Sequence, residues 1–213
     1  MNRPQLRLVL AVSLDGRLAP PGGGAAQLGG RGDRLVLEEA LAWADAALLG
    51  AGTLRSHGCT CLIHEAALLA ARRRQGRAPQ PISIVASGAG AIDPQLPFFR
   101  QPLERWLLRA QPGAAAVPGF SQVLPSPAWP AVLAELAARG VGRLVVLGGA
   151  LLATALLNED LIDELQLTLT PRLLGGPHVW SQVMAGQQPW HLQEVRPLEG
   201  HELLLRYGRP ASG

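Results

Sequence analysis

The sequence predicts an α/β fold in which a mainly parallel sheet is covered by helices on both faces. Short apolar runs of strand length alternate with stretches of helical spacing along most of the chain. Two strand-like runs near the end are separated only by a short turn, which predicts an antiparallel C-terminal edge strand. Hydrophobic residues make up 48% of the chain and charged residues 16%, a composition that supports a sizeable core and excludes a disordered chain.

The first half of the chain opens on a buried strand. Residues 6–13 are nearly continuously apolar and short, as a strand covered on both faces should be. A polar loop rich in glycine and proline follows, and from Asp33 the apolar residues return at helical spacing. The remaining elements predicted in this half are strands at 46–50, 81–87 and 105–110 and a helix at 65–75.

The second half repeats the alternation of helix and strand. The predicted elements are a helix at 128–139, a strand at 142–149 that ends in a glycine pair, a helix at 150–157, a strand that begins at Ile162, and late strands at 191–197 and 202–207. The 213 residues contain no internal repeat and no long linker, so we expect one domain over residues 1–213.

The net charge of +3 is mild, and its strongest local concentration is the cluster Arg72, Arg73, Arg74 and Arg77. We expect a solvated helix face there and no nucleic-acid partner, because no aromatic residues interleave with the arginines. The first residues do not form a signal peptide, and no run reaches the roughly 20 apolar residues of a membrane span. With only two cysteines, the sequence predicts a reduced, cytoplasmic protein.

Two predicted strands end in glycine and run directly into a helix-like stretch, at Gly50-Ala51-Gly52-Thr53 and at Gly148-Gly149-Ala150. Such turns present backbone N–H groups to an anion, and glycine allows a phosphate to approach the backbone closely. Two of them on one sheet could hold the two ends of a dinucleotide. Each alone is equally explained as a tight strand-to-helix turn.

Neither of the common phosphate motifs fits these turns. Arg55 stands where the third glycine of a Rossmann fingerprint belongs, and no acidic residue follows about 20 residues later. Ser87 ends the next strand instead, which suits the 2′-phosphate of NADP better than the ribose of NAD. A P-loop is excluded because the chain contains no lysine.

Four motifs occur in a characteristic order: "AVSLDGRLA", "ADAALLGAGTLRS", "LVVLGGALLATALL" and "LIDELQLTLTPRLLGG". In this order and spacing the chain resembles, over residues 6–207, the reductase domain of the bifunctional riboflavin-biosynthesis deaminase/reductase and its stand-alone pyrimidine-reductase relatives. The resemblance implies a three-layer dihydrofolate-reductase-like fold and a homodimer paired through the late strands. We expect no accompanying zinc deaminase domain.

The resemblance also implies a reaction and a set of site residues. The family transfers a hydride from NADPH to a substrate like 5-amino-6-(5-phosphoribosylamino)uracil and reduces the sugar to its ribityl form. Asp15 would be catalytic, near the nicotinamide and the substrate, although it could instead cap the backbone of its own loop. The implied cofactor-binding residues are Gly50, Gly52, Thr53, Ser87, Gly148, Gly149, Ala150, Leu151 and Leu152, and the implied substrate-binding residues are Ser13, Gly16, His57 and His64.

Several substrate-side features of the family are absent. The differences are the missing lysine near Val9, "AAQLGG" in place of Ser-x-Trp at 25–30, no arginine near Leu41, Ser56-His57-Gly58 in place of an acidic proline turn, and Leu147 before the late glycines. A non-catalytic or differently specific NADP-binding relative therefore remains an alternative, and a dihydrofolate reductase proper is a further one.

Two further patterns remain, one of residues that can bind a metal and one of adjacent acidic residues. His57, Cys59, Cys61 and His64 could form a zinc site of a regulator, with the histidines otherwise holding a substrate phosphate, donating a proton or lying at the surface. Because Cys-x-Cys is tighter than the usual zinc knuckle, we expect no metal. Asp163 and Glu164 are adjacent, so on a strand they point to opposite faces and are expected to cap the strand and face solvent or a dimer partner.

Overall fold

The computed structural model describes residues 3–24, 26–88, 92–110, 117–182 and 189–209. The helices are α1 (Arg31–Trp43), α2 (Ala51–His57), α3 (Ala66–Arg74), α4 (Trp129–Ala138) and α5 (Ala150–Asn158). The strands are β1 (Gln5–Ser13), β2 (Ala46–Gly50), β3 (Ile82–Ser87), β4 (Arg105–Arg109), β5 (Gln122–Pro125), β6 (Arg143–Val146), β7 (Glu164–Thr170), β8 (His191–Pro197) and β9 (Leu203–Gly208). The chain divides into a first unit, Met1–Gln5 with Glu38–Val145, and a second unit, Leu6–Leu37 with Val146–Gly213.

The first unit contains parallel strands in the order β5-β4-β3-β2, with β6 on the other side of β2. The register pairs Gly50 with Ala86 and Ser87 with Arg109, so the carboxyl ends of these strands lie along one edge. Its core consists of fully buried aliphatic side chains such as Leu48, Ile84 and Leu107. The short apolar runs in the sequence are therefore the central strands of this unit.

The second unit combines a parallel and an antiparallel pairing. β1 and β7 are parallel, and Ser13 is in register with Thr170 at their carboxyl ends. β9 is antiparallel to β7, and β8 is antiparallel to β9 and forms the predicted antiparallel edge strand. Leu192 and Val195 on β8 are each about half exposed.

The two glycine turns differ in detail from the sequence prediction. The strand expected at 142–149 ends at Val146, because Gly148 has a φ of +81° that a strand cannot continue through. The first turn is shorter than expected: α2 begins at Ala51, so Gly52 and Thr53 lie within a helix. The helix-like stretch predicted after Gly50 is α2, whereas the four-residue strand β5 was not predicted.

The prediction of a uniformly solvated arginine cluster is wrong for Arg72. This side chain is buried, and its guanidinium donates to the carbonyl groups of Leu41, Ala42 and Ala44 at 3.3, 3.0 and 2.7 Å. These carbonyls lie at the end of α1, where a helix leaves its last acceptors unpaired. Burial lowers the pKa of Arg72 to about 10, still far above neutrality. Arg72 therefore serves as a charged cap for α1.

The start of α1 is capped by the side chain of Glu202. The backbone N–H groups of Gly30 and Asp33 donate to this carboxylate at 2.6 and 2.8 Å, and Glu202 itself is buried. Burial also raises the pKa of Asp33. Gly32 packs so tightly that a Cβ would lie 2.8 Å from the carbonyl oxygen of Glu199. Helix α1 thus begins against the turn between β8 and β9.

The expectation for the acidic pair at the start of β7 is half correct. Asp163 caps the neighbouring strand by accepting the N–H of Leu6 at 2.7 Å. Glu164 does not face solvent but pairs with Arg7 at 2.7 Å, and both side chains are largely covered. In the part of the chain that the structure describes, no helix combines the length and apolar character that crossing a membrane requires.

Candidate active site

In the first unit, the predicted cofactor residues lie at the carboxyl ends of β2 and β3. Gly50 is the residue before α2, and Gly52 and Thr53 belong to the first turn of that helix. A Cβ at Gly50 or Gly52 would meet no atom of the described residues within 4 Å. Among the described residues, a side chain at either position would therefore enter open space.

Ser87 ends β3 and is buried at the same edge. Its partner in the parallel register is Arg109, the last residue of β4, and residues in register share one face of a sheet. A hydroxyl and a guanidinium are thereby placed side by side, a combination that suits a phosphate group. Arg109 was not among the predicted site residues, because only the register of β3 and β4 places it beside Ser87.

In the second unit, the glycine pair Gly148-Gly149 leads directly into α5 at Ala150. Gly149, the residue before this helix, has no side chain that could cap it, and the first turn of the helix contains no acidic residue. Leu152 is buried, whereas Leu151 is 88% exposed. The start of a helix carries partial positive charge, which suits an anion, and the exposed side chain of Leu151 offers an apolar contact beside it.

Gly148 approaches β1 so closely that a side chain would not fit. A Cβ there would lie 2.7 Å from the Cδ2 atom of Leu10, and the positive φ independently favours glycine. The turn before α5 is therefore fixed against β1 within this unit.

Asp15 connects the loops that follow β1 and β7. Its carboxylate accepts from the hydroxyl of Ser13 at 2.5 Å and from the backbone N–H groups of Leu174 and Gly175 at 3.1 and 2.8 Å. The hydrogen bond from Ser13, followed by that from Leu174, lowers the pKa of Asp15 to about 2. Asp15 is therefore ionised at neutral pH. Its negative charge and its two contacts with backbone N–H groups are those of a cap for the loop.

Gly16 lies between Asp15 and a segment near Trp180. Its φ is +71°, and its carbonyl accepts the N–H of Trp180 at 3.2 Å. A Cβ at Gly16 would be 3.7 Å from the indole ring of Trp180. The indole therefore borders the loop that sequence analysis assigned to the substrate.

His57 and His64 lie at the two ends of the connection between α2 and α3, and both side chains are exposed. The backbone N–H groups of His64 and Glu65 donate to the carboxylate of Glu38 at 2.7 and 2.8 Å. The described residues contain no group of three or more histidine, cysteine or acidic side chains arranged to hold a metal ion. The four residues of the zinc pattern are thus not assembled into one site.

The family model of the RibD C-terminal domain matches residues 4–199. The chain belongs to this family. The family resemblance that the four sequence motifs predicted is therefore confirmed. The assignments of individual residues to cofactor, substrate and catalysis remain predictions for this RibD C-terminal domain.

Named relatives agree with this placement. The chain is 25% identical over 186 residues to a 2,5-diamino-6-ribosylamino-4(3H)-pyrimidinone 5′-phosphate reductase of Archaeoglobus fulgidus. The aligned region covers 82% of this chain and 83% of that protein. It is 27% identical over 181 residues to the riboflavin biosynthesis protein RibD of Escherichia coli, which covers 81% of this chain. The match spans 49% of the E. coli protein, about half its length.

Solved structures show the fold. A diaminohydroxyphosphoribosylaminopyrimidine deaminase/5-amino-6-(5-phosphoribosylamino)uracil reductase from Thermotoga maritima matches 98% of this chain and 57% of its own, with a TM-score of 0.80 and 20% identity. A dihydrofolate reductase from Enterococcus faecalis, complexed with NADP(H), matches 96% of each chain with a TM-score of 0.60 and 16% identity. The predicted dihydrofolate-reductase-like α/β fold of this RibD C-terminal domain is confirmed.

Proposed function

We propose that this RibD C-terminal domain is an NADPH-dependent reductase of the riboflavin-biosynthesis type. Its substrate would be a phosphorylated ribosylaminopyrimidine, whose sugar is reduced to the ribityl form by hydride transfer. The observation that carries the proposal is the Gly148-Gly149 turn that leads into α5, in a chain of a family whose named relatives include a pyrimidinone phosphate reductase.

Bound NADPH would supply the hydride, and the residues of this chain would bind and orient it. In the second unit, the N–H groups of the turn from Gly148 to Leu152 are suited to the pyrophosphate, because the start of α5 carries partial positive charge. In the first unit, Gly50, Gly52 and Thr53 remain predicted cofactor residues, and a Cβ at Gly50 or Gly52 would meet no described atom within 4 Å.

The 2′-phosphate is the part of the cofactor that distinguishes NADPH from NADH. Ser87 and Arg109 lie side by side at the carboxyl ends of β3 and β4. A guanidinium binds a phosphate group with charge-assisted hydrogen bonds that a neutral ribose hydroxyl cannot match. We therefore assign the preference for NADPH to this pair.

On the substrate side, Asp15 is proposed to position the loops rather than to transfer a proton. A carboxyl group with a pKa of about 2 holds no proton at neutral pH and is a very weak base. Gly16 shares its loop, and Ser13 is the buried last residue of β1; both remain predicted substrate residues. His57 and His64, both exposed in the first unit, remain predicted substrate contacts.

The test is a turnover assay in which the loss of NADPH absorbance is followed with the ribosylaminopyrimidine phosphate and, separately, with dihydrofolate. Turnover with the first substrate alone is the expected result. Turnover with dihydrofolate alone would replace the proposed substrate, and binding of NADPH without turnover of either would favour the non-catalytic alternative, which the absent family residues at 25–30 support.

We further propose a cytoplasmic homodimer paired through the late strands. β8 is the edge strand of the sheet in the second unit and presents the half-exposed side chains of Leu192 and Val195. An open strand edge with apolar side chains is suited to pairing with a second copy. Cys59 and Cys61 are exposed and outside any disulfide, which fits a reducing compartment. Sedimentation equilibrium gives the mass that tests the dimer.

A further inference from the structure

The backbone of Arg17 is held by the loops that follow β1 and β7. Its carbonyl accepts the N–H of Ser13 at 3.1 Å, and its N–H donates to the hydroxyl of Ser13 at 2.9 Å. Arg17 also forms an antiparallel bridge with Val179, and next to it the N–H of Leu18 donates to the carbonyl of His178 at 2.9 Å. The position from which the side chain of Arg17 extends is therefore fixed within the second unit.

The side chain of Arg17 is not satisfied in the same way. Its Nε is buried and has no hydrogen-bond partner among the described residues. The ion pair with Asp15 is long, since Oδ2 lies 4.0 Å from Nε, beyond hydrogen-bond distance. The oxygens of Asp15 already accept hydrogen bonds from Ser13, Leu174 and Gly175. The side chain of Arg17 is 27% exposed, so a ligand can reach a positive charge that this long contact leaves poorly neutralised.

Other covered arginines use their side chains within the protein. Arg7 donates to a carboxylate at 2.7 Å, and Arg72 donates to carbonyl groups at the end of α1. Arg209 donates from Nε to the carbonyl of Ile162 at 3.1 Å. Arg17 differs from these residues in its contacts and follows directly after the carboxyl end of β1, which is parallel to β7. Ligands of parallel sheets bind at the carboxyl ends of the strands, so this arginine is available to an anion.

We propose that Arg17 binds the phosphate group of the substrate. The inference rests on the proposed function, in which the substrate is a phosphorylated ribosylaminopyrimidine. A guanidinium forms strong, charge-assisted hydrogen bonds with phosphate oxygens. The phosphates of the cofactor have other proposed partners, the pyrophosphate at the start of α5 and the 2′-phosphate at Ser87 and Arg109. The phosphate of the substrate is thus the anion that remains for Arg17.

The test measures ligand binding directly and needs no hydride transfer. The full-length protein is titrated calorimetrically with ribose 5-phosphate and, separately, with ribose. The natural chain should prefer ribose 5-phosphate, and Arg17→Gln should weaken its binding about 10- to 100-fold, because hydrogen bonds to a charged group are lost. Arg17→Lys keeps the charge without the planar fork, so its affinity should lie between the two. The Kd for NADPH should not change in either variant, which separates a phosphate of the substrate from one of the cofactor.

Arg31→Gln is the matched control for the loss of charge. Arg31 is an exposed arginine of the same unit that pairs with Glu199 at 3.6 Å, and its replacement should leave the affinity for ribose 5-phosphate unchanged. The urea midpoint separates ligand binding from a structural role. Because Arg17→Gln removes a buried donor that has no partner, the midpoint should stay the same or rise.

Unchanged binding of ribose 5-phosphate by Arg17→Gln would overturn the proposal, as would equal weakening in Arg31→Gln or a natural chain that binds ribose equally well. Weaker NADPH binding in Arg17→Gln would assign the residue to the cofactor instead, and a lower urea midpoint would assign it to the structure of the loop. Binding that depends on Arg17 in a protein without turnover would support this site and contradict the proposed reductase activity. Turnover that is insensitive to Arg17→Gln would do the reverse.

Discussion

Arg109 stands beside Ser87 in the register of β3 and β4, and its contribution should be visible in cofactor choice. Arg109→Gln removes the positive charge while keeping polar atoms. Hydrogen bonds to charged groups contribute about 1.5–3 kcal/mol, so the Kd for NADPH should rise about 10- to 100-fold. The Kd for NADH, which has no 2′-phosphate, should not change.

Fluorescence titration with both cofactors measures this difference. Arg139→Gln is the matched control, because Arg139 is a partly exposed residue at the end of α4 that pairs with Glu135. Equal weakening of NADPH and NADH binding in Arg109→Gln would contradict the assignment of the 2′-phosphate.

Asp15 makes stability depend on pH in a defined direction. Its pKa is about 2 in the folded chain against an ordinary value of 3.8, so the folded state favours the ionised form. The stabilisation is therefore fully present above about pH 4 and is lost as the pH falls through 2. Asp15→Asn should unfold at lower urea concentration than the natural chain at pH 7, and the two midpoints should converge towards pH 2.

Urea unfolding at several pH values tests this expectation, with Asp93→Asn in an exposed loop as the control. A difference between Asp15→Asn and the natural chain that stays constant down to pH 2 would show that the carboxylate does not supply the effect.

At the scale of a helix, Arg72 caps the end of α1. Arg72→Ala leaves several buried carbonyl groups without a donor, and one such loss costs about 1–3 kcal/mol. We expect a loss of about 3 kcal/mol in the free energy of unfolding. Arg73→Ala, at the exposed neighbouring residue, should change it by less than about 0.5 kcal/mol. Similar unfolding free energies for the two variants would contradict the capping role.

At the start of α1, we expect a glycine-to-alanine substitution to lower stability, which is the opposite of what helix propensity predicts. Alanine in place of glycine normally favours a helix by about 1 kcal/mol. At Gly32, however, the new Cβ would lie 2.7 Å from the Cβ of Leu198 and 2.8 Å from the carbonyl oxygen of Glu199. Overpacking of this kind costs about 1–3 kcal/mol, so Gly32→Ala should lower the unfolding temperature.

Gly22→Ala is the matched control for this prediction, since a Cβ there meets no atom of the described residues within 4 Å and the φ is not positive. It should leave the unfolding temperature unchanged or raise it slightly. A rise in Gly32→Ala would mean that the turn at 198–199 moves aside at little cost.

The elements that sequence analysis found are those that local pattern determines. β2 was predicted with its bounds because an apolar run ends at a glycine, whereas α2 was predicted only as a helix-like start without bounds because it is short and has no helical periodicity. Arg72 was misread because its acceptor carbonyls lie 28 to 31 residues away in sequence. The glycine turns of the candidate site are visible in the sequence, but Arg109 depends on which strands are neighbours and on their register.

For the whole molecule, cofactor binding should appear as a gain in stability. A ligand at about 100 times its Kd stabilises the fold by about 2.7 kcal/mol, which for a chain of this size raises Tm by roughly 5–10 °C. NADPH should produce this shift and NADH at the same concentration should produce much less. Thermal unfolding with and without each cofactor measures this change in Tm. Equal shifts with NADPH and NADH would contradict a cofactor preference based on the 2′-phosphate.

Gln101 and Gln80 hold the segment 59–65, because each side chain both accepts from and donates to the backbone of one residue, Thr60 and Ile63 respectively. These contacts are sensitive to deamidation of the glutamine. Loss of ammonia converts a glutamine to a glutamate, which accepts hydrogen bonds but has no amide hydrogens to donate. At Gln101 the new carboxylate would still accept the N–H of Thr60, but it would face the carbonyl of Thr60 with a second oxygen. A single deamidation would therefore turn an attractive contact into a repulsive one. In a chain deamidated at Gln101, the backbone at Thr60 would therefore no longer be held on both sides.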